Sequence, residues 1–549
     1  MTNNLSPSGI LDDYVAVTCL VVVPVKLNVV RFSVWAKFLI EQPTWVLSHT
    51  NTTTLAALDN PERQFIAGFL CLTQTLFQLG RMPVFAPIKV VLCEKVQADQ
   101  SSFSVQVHIS TVHHLNVNAY RHTVKASLDV CSWLAQNSAS SKNRQTVWKT
   151  ITEEILAPLN NLVPAGKSTI PVLRVAYELG IPFFHLGFGV YQLGWGSQSR
   201  RLARSSTETD SEMGAKLAQN KTVTANLLRV AGLPAPVHAV VNSENEALTA
   251  ATQLGFPVVV KPADLDRGEG VTVDINDPPT LTKAFTLAHQ LSKSKHVIVE
   301  RQVIGVCHRL FIANGDLLYA VKRLAMGVWG DGRSSIRQLA NAQWLAQTEI
   351  PPWSRSEIQK IDDLALTELK RLKLSPESVP GKGDFVPLRR IESSQWGGID
   401  EEVTQVVHPE NKKAAIQAAK LFGLSVVGID MMSADISQPW YQNGAIINEV
   451  NFSPLFGGAP ISRSYIPQFL TKFIQGQGKI PIVMFDSERH ALEFQQQHVA
   501  NNVRCFLTLA DKTLDHDGMA IVMPFLGLVQ RVRALVLRTD VDAIAVVES

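Results

Sequence analysis

The sequence predicts an α/β (α+β) protein of several domains, and three observations carry that reading. A chain of 549 residues exceeds what one compact core holds and points to about three domains. Runs of β-branched residues alternate with segments of helical spacing along its whole length. Hydrophobic residues make up 46% and charged residues 18%, the balance of a chain that buries ordinary cores. The pattern divides it into an α/β region at 1–165, a connecting segment at 166–204, a core at 205–478 and a small βα piece at 479–549.

In the first region, 15–23, 88–93 and 103–109 read as strands, and the apolar spacing near 60–80 and 119–136 reads as helices. The polar stretch 136–143 reads as a surface loop. A helix over 169–179 and a strand at 182–186 follow. The helical spacing of 217–231 stops at Gly232-Leu233-Pro234, a helix end with a proline-limited turn. Strands at 237–241, 258–261, 297–300, 309–312, 317–323, 426–431 and 445–451 come next. Helices at 244–254, 279–291, 335–346 and 412–422 separate them. In the last piece, 480–485 and 543–547 are the clearest strands.

Composition excludes several classes. A formal net charge of +3, spread along the chain, gives no reason to expect a nucleic-acid partner. The basic run Arg200, Arg201, Arg204 is too short to stand as a polyanion site. Six cysteines lie far apart with no CxxC pair, so neither a zinc site nor a disulfide scaffold is supported. Free thiols suit a reducing, cytoplasmic setting. The apolar run 14–23 is too short to span a bilayer and lacks the basic flank of a signal peptide, so no membrane partner is expected. Gly166-Lys167-Ser168-Thr169 is not a P-loop, because Asn161 stands where the first glycine is needed.

The chemistry-bearing residues gather after position 205. Lys261 ends an apolar strand and precedes a turn containing Gly268 and Gly270. A fixed ammonium followed by a glycine-rich turn suits a polyphosphate. Lys221 alone reads as an exposed helix lysine. From Glu300 to Val303 a strand runs into an extended segment that can meet an adenine edge, or is simply a strand entering a turn. Asp430 lies in one apolar strand, and Glu449 and Asn451 lie in another. Strand alternation turns Glu449 and Asn451 to the same face. If the two strands pair, three hard oxygen ligands share a patch of the kind that Mg²⁺ prefers; a structural salt bridge is the alternative.

These pieces, in this order, resemble the ATP-grasp superfamily, and in detail its cyanophycin synthetase branch. The similar stretches include 187–196 with Arg200-Arg201, His308-Arg309, Gly330-Asp331-Gly332, Leu388-Arg389-Arg390, His408-Pro409 and Gly428-Ile429-Asp430. The resemblance implies a core of two α+β subdomains gripping ATP. Lys221 and Lys261 would then hold phosphates under the 266–271 loop, and Glu300 to Val303 would meet adenine. Asp430, Glu449 and Asn451 would bind two Mg²⁺ ions, with Mn²⁺ a possible substitute. Arg309, Arg323 and Arg390 would steady the transferring phosphoryl group. The implied reaction joins a carboxylate to an amine of an amino acid, short peptide or small metabolite, with an acyl phosphate between the two steps. Relatives assemble, so a homo-oligomer is expected.

Three departures stand out. Cys307 occupies the position where relatives carry an acid facing the ribose, and a thiol cannot accept two ribose hydrogen bonds. The segments 391–398 and 452–458 differ where an acceptor would be recognised. The chain also stops where cyanophycin synthetases continue into a second, Mur-ligase-like ATP site, so making a two-residue polymer alone is not expected. The alternatives are a catalytically silent nucleotide- or peptide-binding protein and a truncated polymer synthetase.

Overall fold

The computed structural model describes residues 14–22, 35, 39, 60–96, 99–110, 115–163, 167–265, 269–355, 358, 360–390, 392, 397–523 and 526–547. Near the N-terminus, the Asp99–Ser110 strand lies between Tyr14–Val22 and Lys89–Val96 in a three-stranded antiparallel sheet. Phe103, Val105, Val107 and Ile109 alternate along the central strand and are all buried. With Phe65, Phe69 and Phe77 of the Asn60–Leu79 helix and Tyr120 of the Val117–Gln136 helix, they belong to one apolar cluster. That alternation is how a sheet buries one face under helices. The expected loop at 136–143 is shorter than its polarity suggested, because Ser140 caps a further helix, Ser141–Thr150.

The segment read as a connector holds more structure than its sequence announced. After the Thr169–Glu178 helix, strands Phe183–Gly187, Val190–Leu193, Arg200–Ala203 and Ser206–Thr207 form a four-stranded antiparallel sheet. Only the first was legible, since the others are two to four residues long.

Two further sheets build the core. The first is antiparallel, in the order Thr272–Ile275, Val258–Pro262, Val297–Arg301, His238–Val241. Val258, Val260, Val297 and Val299 are buried in a cluster with residues of the Glu244–Leu254 and Pro278–Leu291 helices. Period two therefore turns Lys261 and Glu300 to the opposite face together. The second sheet has five strands, in the order Ile399–Glu402, Asp316–Leu324, Val306–Ala313, Val426–Ser433, Ile446–Phe452. Leu310, Ile312, Val427 and Ile429 bury one of its faces against Ala414, Ala415 and Ala418 of the Pro409–Leu421 helix. The other face carries the charged residues.

The helix expected over 217–231 is two helices, Glu212–Ala218 and Lys221–Val230. Asn220 breaks it by accepting the Val223 N–H at 3.0 Å as an N-cap, an alternative to helix that Asn offers the backbone. At the C-terminal end, Ile482–Phe485, Ala543–Val547 and Cys505–Thr508 pair in parallel, and two short antiparallel strands extend the sheet. Among the described residues, no helix is long and apolar enough to cross a membrane.

Candidate active site

The charged face of the five-stranded sheet is set by register. Arg309, Asp430 and Glu449 lie directly across from one another on three neighbouring strands. Asn451, two residues after Glu449, shares its face. Gly428 lies beside Asp430 on the same face, and a Cβ there would meet Arg309 Cδ at 2.8 Å. The missing side chain is what lets the Arg309 guanidinium lie flat along the strand and reach Asp430.

Arg309 grips Asp430 with two hydrogen bonds, Nε to Oδ1 and Nη2 to Oδ2, the latter 2.8 Å long. Arg323 Nη1 stands 3.6 Å from Oδ2, and Asn451 Nδ2 donates to Oδ2 at 3.1 Å. Burial by itself would raise the Asp430 carboxyl, but Arg309, Arg323 and Asn451 hold it below the ordinary range. For Asp430 the structure thus contains the salt bridge that was the alternative to metal ligation. Its carboxylate still has lone pairs to offer.

Glu449 is different. It makes no hydrogen bond or ion pair with any described residue. Burial first, and Asp430 second, raise its carboxyl, while Lys221, Lys261 and Arg309 pull it down. Lys221 and Lys261 are therefore both near enough for their charges to act on Glu449. Each is anchored: Lys221 Nζ donates to the Leu265 carbonyl at 2.9 Å, and Lys261 Nζ lies 2.9 Å from Glu300 Oε1. Lys221, Asp430, Glu449 and Asn451 line one cavity, and Lys261, outside that lining, acts on Glu449 through its charge.

The remaining expected residues separate. Gly270 has φ +69, and a Cβ there would meet Pro262 Cγ at 2.8 Å, so its turn requires glycine. Gly268 lies outside the described residues. Val303 is half-buried just beyond the Glu300 strand. Cys307 shares the charged face with Arg309, and burial, with Asp430 beside it, pushes its thiol well up. Arg390 pairs with Asp274 of the Thr272–Ile275 strand, so it does not join Arg309 and Arg323 on Asp430.

Some residues of the site left no sign in the sequence. Asp400 pairs across from Arg323 in register, and Glu392 is bonded to the Cys307 backbone. Burial raises both carboxyls. They line one cavity of ≈ 1340 Å³ together with Arg309, Arg323, Asp430, Glu449 and Asn451. Arg81, Lys167 and Arg204 contribute to the same wall: Arg81 comes from the 1–165 region, Lys167 from the stretch rejected as a P-loop, and Arg204 from the short basic run.

A magnesium ion is a fair guest for part of this arrangement. Among the described residues no three His, Cys, Asp or Glu side chains cluster as a metal set. The candidate is two carboxylates and an amide. Glu449, half-buried and without a hydrogen-bond or ion-pair partner among the described residues, is costly in that state, and hard oxygen donors beside lysines suit a cation shared with phosphates.

Residues 218–309 match the profile of the carbamoyl-phosphate synthase L chain, ATP binding domain. With two antiparallel sheets presenting lysines and acids to one cleft, this stretch is similar to the ATP-grasp class. Within that class the chain is related to the cyanophycin synthetases. It is 30% identical to that of Trichormus variabilis over 356 residues, 63% of this chain and 38% of the relative. To that of Geminocystis herdmanii it is 33% identical over 300 residues, 53% of this chain and 34% of the relative. The glutathione biosynthesis bifunctional protein GshAB of Mannheimia succiniciproducens is 29% identical over 262 residues, 45% of this chain and 34% of that one. The match therefore spans well under half the length of these relatives. Among solved structures, a bifunctional glutathione synthetase from Pasteurella multocida is similar with TM-score 0.44 and 17% identity, covering 74% of this chain and 69% of that one. A D-alanine–D-alanine ligase from Bacillus anthracis has TM-score 0.30 and 16% identity, covering 49% and 70%.

Proposed function

We propose that the chain is an ADP-forming ATP-grasp ligase that joins a carboxylate to an amine. The observation that carries the reading is the Glu449 carboxylate: half-buried, without a hydrogen bond or ion pair among the described residues, and acted on by the charges of Lys221 and Lys261. Such a group is expensive unless a cation completes it. Glu449 and Asn451 would hold Mg²⁺, with Asp430 shared between the metal and Arg309. Lys221 and Lys261 would take phosphate oxygens, and Arg309 and Arg323 would meet charge on the transferring group. The extended segment after Glu300 would meet the adenine edge, with Val303 packed on its face. Gly270, and by sequence Gly268, would let backbone approach the phosphates.

ATP supplies the γ-phosphoryl group that turns a carboxylate into an acyl phosphate, releasing ADP. An amine then attacks the acyl carbon, the C–N bond forms, phosphate leaves and the amine gives up a proton. The chain's own part is to align and to offset charge. Fixed cations in a partly dry cleft act on the transferring group without reorganising, and no enzyme nucleophile is required. The carboxylate donor and the acceptor are an amino acid, a short peptide or a related small metabolite. We expect the chain to self-associate.

The test is ADP release in the presence of Mg²⁺ and paired amino acids or peptides, followed by product identification by mass spectrometry. Release of AMP and pyrophosphate instead would refute the acyl-phosphate route.

A further inference from the structure

We infer that Arg81, Lys167 and Arg204 form an anion subsite of the cavity, and that the substrate seated there is an acidic peptide bearing carboxylates beyond the one that reacts. The inference rests on the ligase reading for which group reacts, and on the cavity itself for the rest.

The wall is positioned from the acidic strand. Ile446–Phe452 carries Glu449 and Asn451 and leads directly into residues 453–458. Two buried serines pin that segment. Ser205 Oγ donates to the Pro454 carbonyl at 2.6 Å, and Ser168 Oγ accepts the Phe456 N–H at 3.0 Å. Each serine directly follows a cation, Arg204 and Lys167. The segment that continues the acidic strand therefore also fixes the backbone beneath two of the three positive charges.

Arg81 arrives from the end of the Asn60–Leu79 helix. The Met82 N–H closes that end on the Phe77 carbonyl at 2.8 Å. This leaves Arg81 left-handed at φ +59, in a conformation that usually falls to glycine. Arg204 has φ +59 and Ser453 has φ +49. Three strained residues thus meet at one cavity, a distribution typical of ligand clamps. The Ser453 hydroxyl is buried with no hydrogen-bond partner among the described residues and lines the same wall, a donor waiting for an oxygen.

Charge bookkeeping narrows the ligand. Asp430 already offsets Arg309, and Lys221 and Lys261 lie beside Glu449, where ATP phosphates are proposed. Arg81, Lys167 and Arg204 have no hydrogen-bond or ion-pair partner for their side chains among the described residues. They are surplus to the nucleotide. Guanidinium forks match carboxylates in plane; Glu392 and Asp400 line the same cavity, so the attraction is local to the wall that Arg81, Lys167 and Arg204 form. At ≈ 1340 Å³, the cavity also exceeds the roughly 300–1,000 Å³ usual for a single small ligand.

The test uses the full chain with Mg²⁺ and ADP. Binding of tri-glutamate and of its neutral counterpart, tri-glutamine amide, is measured by calorimetry, and ADP release from ATP is measured with the same peptides. Tri-glutamate is expected to bind and tri-glutamine amide to bind at least tenfold more weakly. Arg81→Gln and Arg204→Gln should each weaken tri-glutamate binding about fivefold, with the neutral peptide unmoved and thermal melting unchanged. Lys167→Gln, at an exposed position, is a third variant should Arg81→Gln fail to fold. Equal affinity for the two peptides, or acidic binding indifferent to the arginine and lysine variants, would overturn the inference, even if neutral peptides drive ADP release and the ligase reading survives. Charge-selective binding lost in the variants, with no ADP released from any peptide, would support the subsite and count against the ligase reading.

Discussion

At the scale of single residues, the cleft is a set of charges whose partners differ. Lys261→Ala and Glu449→Ala should each lower ADP release about 10²–10³-fold, since each removes a charge next to the proposed triphosphate. Arg309 behaves as a structural group as well. Arg309→Ala leaves Asp430 buried with its main partner gone, and should cost about 3–5 kcal/mol in a urea titration. The pH dependence of that pair has a definite sign. Asp430 is held below its unfolded value by Arg309, Arg323 and Asn451, against the opposing effect of burial. Its contribution is therefore present above the ordinary aspartate range, near 3.9, and is lost as pH falls through the lower folded value. Urea midpoints should drop on acidification below that range in the native chain, and less in an Asp430→Asn variant.

At the scale of elements, one glycine sets the geometry of the charged face. Gly428→Ala would push a methyl into Arg309 Cδ and Nη1, both 2.8 Å from the new carbon. ADP release should fall at least tenfold while circular dichroism changes little, because strand and pairing remain compatible with alanine. That position also shows where sequence reading succeeded and where it stopped. Alternation within the strands was enough to turn Glu449 and Asn451 to one face, whereas the helix start at Asn220 went unseen inside the single helix read over 217–231. What spacing could not carry was pairing. That Arg309 rather than solvent meets Asp430 depends on strand order, and the strands lie 121 residues apart in sequence. Arg81 and Lys167 are further from the acids still, Arg81 on a segment with no local pattern of a site and Lys167 in a stretch whose only pattern, a P-loop ending, fails at Asn161. The short strands after Phe183–Gly187 escaped because two to four residues give no period to count.

At the scale of the whole molecule, the C-terminal piece is a packing partner of the sheet at 183–207. Phe184 and Trp195 are buried in a cluster with Ile480, Phe506, Val532 and Ile544. Backbone bonds from Trp195 to Gly478 and from Ser197 to Val541, 2.7 and 2.8 Å long, stitch the seam. Ending the chain at 478 would expose both rings, each worth about 1.5–3 kcal/mol or more of burial. The truncated protein should melt several degrees lower and bind a hydrophobic dye. The bond between Arg390 and Asp274 has a reach of another kind. It ties the sheet that holds Lys261 and Glu300 to the segment leading toward the five-stranded one, and both side chains are partly in water. An opening that parts these two segments to release nucleotide would separate the charges, and dissolved ions would then compete with the closed form. Stopped-flow release of a fluorescent ADP analogue should accelerate severalfold from low to high potassium chloride, and Asp274→Asn should flatten that dependence, making the electrolyte around the protein a governor of how long it keeps its spent nucleotide.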